Sequence, residues 1–182
     1  MEVEVGEETT NDDDDSSSDG DPDDDDDEME EDHATVVFVC VNHKKSGEPM
    51  TFTALLDSGT RGNMMTAAAA AKAGLKVKHS AKPKRYSTAA GVFQTTKRVC
   101  LRTHRLFELN SNRKLQKLNV QVTDGDLGRY DFIFGRKYLS KYGIDLRWSD
   151  NTIRWDGMVM AMKDVSDQDA LNPLTVTPSE DK

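Results

Sequence analysis

Apolar positions fall along the chain in short bursts separated by turn residues, a spacing that predicts strands rather than long helices. ATVVFVCVN (34–42) is dense in Val and Phe and reads as a buried strand. HKKSGEP then supplies a turn, and MTFTALLD (50–57) alternates as the second arm of a hairpin. NMMTAAAAAKAG (63–74) changes to strong helix formers and stops at Gly74, so a helix is predicted there. Beyond Leu75 the pattern returns to strand. Two polar, β-prone arms flank Gly91 and predict a long hairpin with its tip at Ala89–Val92. A turn at Asn110–Asn112 precedes a strand near Leu118–Val122, and a short apolar strand follows at Phe132–Phe134. A helix over Arg136–Tyr142 and a hairpin turning at Ser149–Asn151 complete the series. The expectation is a small, mostly β domain with one or two short helices.

Charge divides the 182-residue chain into unlike parts. Residues 1–32 hold 19 Asp and Glu and no Lys or Arg, leaving 14 acidic against 24 basic residues for the remainder. A segment so acidic and so poor in apolar residues is expected to be disordered. The expected organisation is an acidic leader (1–32), a folded domain (33–163) and a polar tail or linker (164–182). No stretch has the signature of a signal peptide, and no apolar run approaches the ~20 residues of a membrane span. A cytoplasmic protein is expected. Cys40 and Cys100 fit no disulfide framework or zinc spacing and are expected to be half-buried thiols. His33, His43, His79 and His104 are isolated and read as surface residues. No metal or cofactor is expected. The basic residues between Lys72 and Arg105 have only Tyr86 and Phe93 among them as aromatics, which argues against nucleic acid.

The stretch ALLDSGTRGNMM (54–65) carries the chemistry. An apolar strand runs straight into Asp57, and taking a carboxylate out of water is costly unless it is partnered. Asp followed by Ser and Gly is also ordinary turn chemistry, so a purely structural Asp57 is one reading. The order of apolar pair, Asp57, Ser58, Gly59 and Thr60 nevertheless resembles the active-site turn of retropepsin-like aspartic proteases. Three later features match in order: a glycine-tipped flap at Ala90, Gly91 and Val92; the apolar-apolar-Gly strand Ile133, Phe134, Gly135; and the helix RKYLSKYG. GIDLRWSDNTIRWDG resembles the protease ends of gypsy-type and BEL/Pao-type retrotransposon polyproteins.

The resemblance implies a small closed, barrel-like β fold, active as a two-fold homodimer on an extended peptide or polyprotein. Asp57 is then the catalytic carboxylate, facing its twin in a second copy, since no second Asp-Ser-Gly or Asp-Thr-Gly occurs in the chain. Ser58 would lock the two turns across the dimer. Thr60 stands where the family has Ala or Ser, and Arg61-Gly62 follow with a charge that the resemblance does not place. The rival expectations are a non-catalytic module that keeps the fold for dimerisation or peptide binding, and an acidic-tailed nucleic-acid-associated protein.

Overall fold

A computed structural model describes residues 32–88 and 91–173. The acidic leader, the flap-tip residues Ala89 and Ala90, and residues 174–182 lie outside the described residues. Twelve strands and two α-helices follow in chain order: β1 (His33–Ala34), β2 (Val36–Asn42), β3 (Pro49–Asp57), β4 (Asn63–Thr66), α1 (Ala67–Lys72), β5 (Lys78–Thr88), β6 (Gly91–His104), β7 (Leu115–Thr123), β8 (Phe132–Gly135), α2 (Arg136–Tyr142), β9 (Asp145–Arg147), β10 (Thr152–Trp155), β11 (Met158–Ala161) and β12 (Lys163–Asp164). The mostly β expectation holds.

Seven strands form one sheet in the order β2-β3-β8-β4-β7-β6-β5. β8 lies between β3 and β4, although those two are consecutive in sequence; it runs parallel to β3 and antiparallel to β4. A strand so enclosed meets protein on both faces and is apolar throughout, as Phe132, Ile133 and Phe134 are. Phe132 and Phe134 enter the main core with Phe52, Leu56 and Leu101. Ile133 enters a second cluster with Met64 and Leu127, against which Tyr86 and Phe93 of the β5–β6 hairpin pack. Burying a side chain of this size stabilises by about 2–3 kcal/mol. Ile133 therefore helps seat the hairpin over the sheet.

The closed barrel expected from the resemblance is not found. Beyond the seven-stranded ladder, β2 meets the residue after β6 through one bridge, Cys40 to Arg105, with hydrogen bonds of 2.9 and 3.0 Å. β5, whose pairing with β6 stops at Arg98, is left as an edge. The reason is length: β5 and β6 project as a long arm, whereas β2 ends at Asn42.

Two local expectations also change. Asn63–Thr66 is a strand, because Met64 and Met65 pair with β7 and β8; the helix starts only at Ala67, where the Thr66 hydroxyl caps the Ala69 N–H at 3.1 Å. Cys40 is buried and Cys100 exposed, both as free thiols, instead of two half-buried ones. α2 ends at Gly143 in the left-handed conformation, with Ile144 N–H returning to the Leu139 carbonyl at 2.9 Å. β9, β10 and β11 form a three-stranded sheet, and β12 pairs with β1. A 3₁₀ turn, Asp169–Leu171, then buries Leu171.

Candidate active site

Asp57 is the last residue of β3 and sits opposite Gly135, the last residue of β8. Because β8 separates β3 from β4, the connection Ser58–Gly62 must cross the end of β8. It crosses at very short range: a Cβ at Gly135 would collide with the carbonyl oxygens of Thr60 and Gly62. Glycine is required there by space, its φ of -91° being ordinary. The first turn of α2 then takes hold of the crossing loop. Arg136 N–H donates to the Thr60 carbonyl at 2.7 Å and Lys137 N–H to the Arg61 carbonyl at 3.2 Å. The Ile133-Phe134-Gly135 strand and its helix are thus the support of the Asp57 loop.

Both oxygens of the Asp57 carboxylate are gripped from within that loop. Gly59 N–H donates to Oδ1 at 2.8 Å, and the Thr60 hydroxyl donates to Oδ2 at 2.6 Å. Thr60 N–H reaches back to the Asp57 carbonyl at 3.2 Å. A side chain at position 59 would stand 3.0 Å from Oδ1, so Gly59 leaves the carboxylate face open. Asp57 is half-buried, Ser58 and Gly59 are exposed, and Thr60 is buried. The bond to Gly59, two residues on, is an Asx turn. Turn chemistry and a poised carboxylate therefore reside in the same atoms. Among the described residues no cluster of three or more His, Cys, Asp or Glu is arranged to hold a metal.

Asp131, the other half-buried carboxylate beside β8, is not positioned to share a proton with Asp57. It precedes the start of β8 and accepts from Thr53 N–H at 3.0 Å; in strand geometry that is about 13 Å from Asp57. Burial raises its pKa, against the lowering effects of the Thr53 N–H and Lys72.

The β5–β6 hairpin folds over the loop. Its Ser87 carbonyl lies 3.2 Å from the Thr60 hydroxyl, and the Tyr86 ring packs where a Gly62 side chain would be. Thr88 pairs with Gly91, whose φ of +126° suits glycine. Val92 is exposed, and Ala90 lies outside the described residues.

The structure thus brings Asp57, Gly59, Thr60 and Gly135 together. It leaves Ser58 exposed on the turn, Ile133 and Phe134 in the cores, and Gly91 and Val92 on the hairpin. Thr60, expected in the active-site turn where the family has Ala or Ser, contacts Asp57 directly; the Asp-x-x-Thr spacing, a short loop with a hydroxyl, is the signal for it in the sequence. Far from the surface position expected, His104 is 1% exposed and packs against Phe134 of β8, its Nε2 2.8 Å from the Tyr138 hydroxyl. Tyr138 in turn stacks on Phe134 with centroids 4.2 Å apart. Burial foremost, with Lys141 second, lowers the His104 pKa to about 4.

The family model described as aspartyl protease matches residues 41–138, more than half of the chain, so the chain belongs to the aspartyl protease family. No curated protein matches it in sequence. Solved structures similar to it include the retroviral protease-like domain of Ddi1 from Leishmania major, at 14% identity over 74% of this chain and 96% of that one, with a TM-score of 0.49. A retropepsin-like aspartic protease from Rickettsia conorii is 17% identical over 62% of this chain and 75% of that one, with a TM-score of 0.38. No helix among the described residues is long and apolar enough to cross a membrane.

Proposed function

We propose that the chain is an endopeptidase of retropepsin type in which Asp57, one per chain of a homodimer, activates water for hydrolysis of an extended peptide. The observation that carries the reading is the carboxylate at the end of β3, held through both oxygens by its own loop with an open glycine face beside it. Peptide hydrolysis without a metal or a covalent nucleophile needs a base to take a proton from water and an acid to give one to the leaving nitrogen. Two carboxylates sharing one proton supply both. This chain carries a single Asp-Ser-Gly turn, so the second carboxylate comes from Asp57 of another copy across a two-fold axis.

In this reading Gly59 N–H and the Thr60 hydroxyl orient the carboxylate, and Gly135 and α2 hold the loop in place. The β5–β6 hairpin covers the bound peptide and excludes water. Processing of a retroelement polyprotein is the role that the closing GIDLRWSDNTIRWDG segment favours.

The test is incubation of the full chain and of Asp57→Asn with a random-peptide library from about pH 4 to 7, the range in which such dyads work. Cleavage by the parent chain, abolished in Asp57→Asn with the circular-dichroism spectrum unchanged, is the expected result. Undiminished cleavage by Asp57→Asn would sink the mechanism.

A further inference from the structure

Beside the Asp57 loop lies a cleft of about 530 Å³ whose charge is of one sign. Arg61 enters it from the crossing loop, Lys84 and Arg85 from β5, and Arg136 and Lys137 from the first turn of α2; among the described residues no Asp or Glu lines it. All five side chains are exposed, and none takes part in the ion pairs found among the described residues. Resting on the endopeptidase reading, we infer that this cleft selects peptides with acidic side chains beside the scissile bond.

Three observations support this. First, the cations are held in register with the candidate catalytic group. Gly59, which binds Asp57, lines the same cleft, and the backbone bonds from Arg136 and Lys137 to the loop carbonyls fix α2 against it. Second, the placement violates a local preference. The first turn of a helix favours acidic side chains, yet α2 opens with Arg and Lys and has no acid there. Arg136 and Lys137 therefore bring their charge to the cleft with no acidic neighbour in that turn. Third, β5 ends the seven-stranded sheet, with no described strand on its outer edge, and its residues Lys84–Ser87 line the cleft. An extended peptide adds to such an edge through its backbone, while flanking pockets read its side chains.

A peptide fits this cleft better than a nucleic acid does. Single-stranded nucleic acid is gripped by stacked aromatics as well as by charge. The one aromatic side chain here, Tyr86, is half-buried against Gly62. Guanidinium and ammonium groups converging from three elements suit carboxylates, for which Arg offers a two-pronged contact.

Two readouts on the full chain test the inference. One is kcat/KM for matched Glu and Gln versions of each peptide cleaved from a random library. The other is binding, by the Asp57→Asn chain, of a fluorescent peptide alternating Glu and Ala against its Gln counterpart. The Glu version is expected to be favoured roughly tenfold, the scale of one charge-assisted hydrogen bond. That ratio should fall toward one in Arg61→Gln/Arg136→Gln, shrink between about 50 and 500 mM salt, and turn toward Lys-containing peptides in Arg61→Glu/Arg136→Glu. If peptides are cleaved with a ratio near one, or with a ratio that the Gln variants leave intact, the acidic preference is wrong and the endopeptidase reading stands. If nothing is cleaved but the Glu peptide binds through these cations, the endopeptidase reading fails and the acidic-peptide cleft stands. Absence of both cleavage and Glu-selective binding, or binding of a single-stranded oligonucleotide in place of the peptide, overturns the inference.

Discussion

Oγ1 of Thr60 lies 2.6 Å from Oδ2 of Asp57 and 3.2 Å from the carbonyl oxygen of Ser87, so one hydroxyl proton faces two acceptors. With Asp57 ionised, the proton goes to the nearer carboxylate oxygen. In the proposed dyad, when Oδ2 carries the shared proton, the carboxyl O–H donates to Thr60 and the Thr60 hydroxyl donates onward to Ser87. The buried Thr60 thus has a partner in either state, and in the second it ties the β5–β6 hairpin to the loop.

Thr60→Val removes the hydroxyl at nearly constant volume. Loss of a hydrogen bond to a charged group predicts a fall in kcat/KM of roughly ten- to a hundredfold, with the fold retained. Thr60→Ser, which keeps the oxygen, should recover most of it. Equal activity of the Val and Ser variants on a cleaved library peptide would show that the hydroxyl does not matter.

Gly135 and Gly47 separate two reasons for glycine. At Gly135 the conformation is ordinary but the space is filled by the carbonyl groups of the crossing loop; at Gly47 the space is open but φ is +75°. Gly135→Ala should destabilise by roughly 3 kcal/mol or more, as overpacking against backbone does, and displace the Asp57 loop. Gly47→Ala should cost only about 1 kcal/mol and leave the site alone. Urea denaturation of both variants decides, and similar losses would contradict the crossing geometry.

What was legible in the sequence was mainly local. β2 and β3 were marked by dense apolar and β-branched residues, and α2 by helix formers ending at a glycine. β4 was hidden because Asn63-Met64-Met65-Thr66 has no preference strong enough to resist its neighbours; pairing with residues some 60 to 70 positions away makes it a strand. The β10–β11 hairpin was missed although Asp156-Gly157 is a strong turn signal. His104 reads as a surface residue in the sequence because a lone histidine gives no local sign that Phe134 and Tyr138 cover it. The basic cleft was invisible for a similar reason: positions 61, 84, 85, 136 and 137 meet only once β8 has entered between β3 and β4.

Concentration dependence tests the two-chain site. If each site takes one Asp57 from each copy, activity per chain should fall on dilution below the dimer dissociation constant. Ser58→Ala should shift that fall to higher concentration by the worth of one hydrogen bond, on the order of 1 kcal/mol. Constant activity per chain through a range in which sedimentation shows monomers would rule out the shared site.

The buried histidine predicts how the protein responds to acid. His104 contacts Phe134, Tyr138 and Tyr142; its Nδ1 and the Tyr142 hydroxyl are buried without a hydrogen-bond partner. Burial first and the Lys141 charge second disfavour the imidazolium, so the folded pKa falls from 6.5 to about 4. The unfolded chain therefore binds a proton below pH 6.5 that the folded chain refuses until about pH 4. Stability from this group is full above pH 6.5, declines as pH falls through that window, and levels off below pH 4. A shift of this size corresponds to about 3 kcal/mol. The loss falls where an aspartic dyad works, in a group that packs against Phe134 of the strand that supports Asp57. Carboxylates titrate in the same window, so the informative quantity is the difference between the parent chain and His104→Gln, which has no imidazole to protonate. Urea midpoints measured from about pH 7 to 4 should show the parent chain losing stability more steeply, whichever protein is the more stable at pH 7. Parallel curves would mean that His104 titrates normally and that the core around Phe134 and Tyr138 admits its charge.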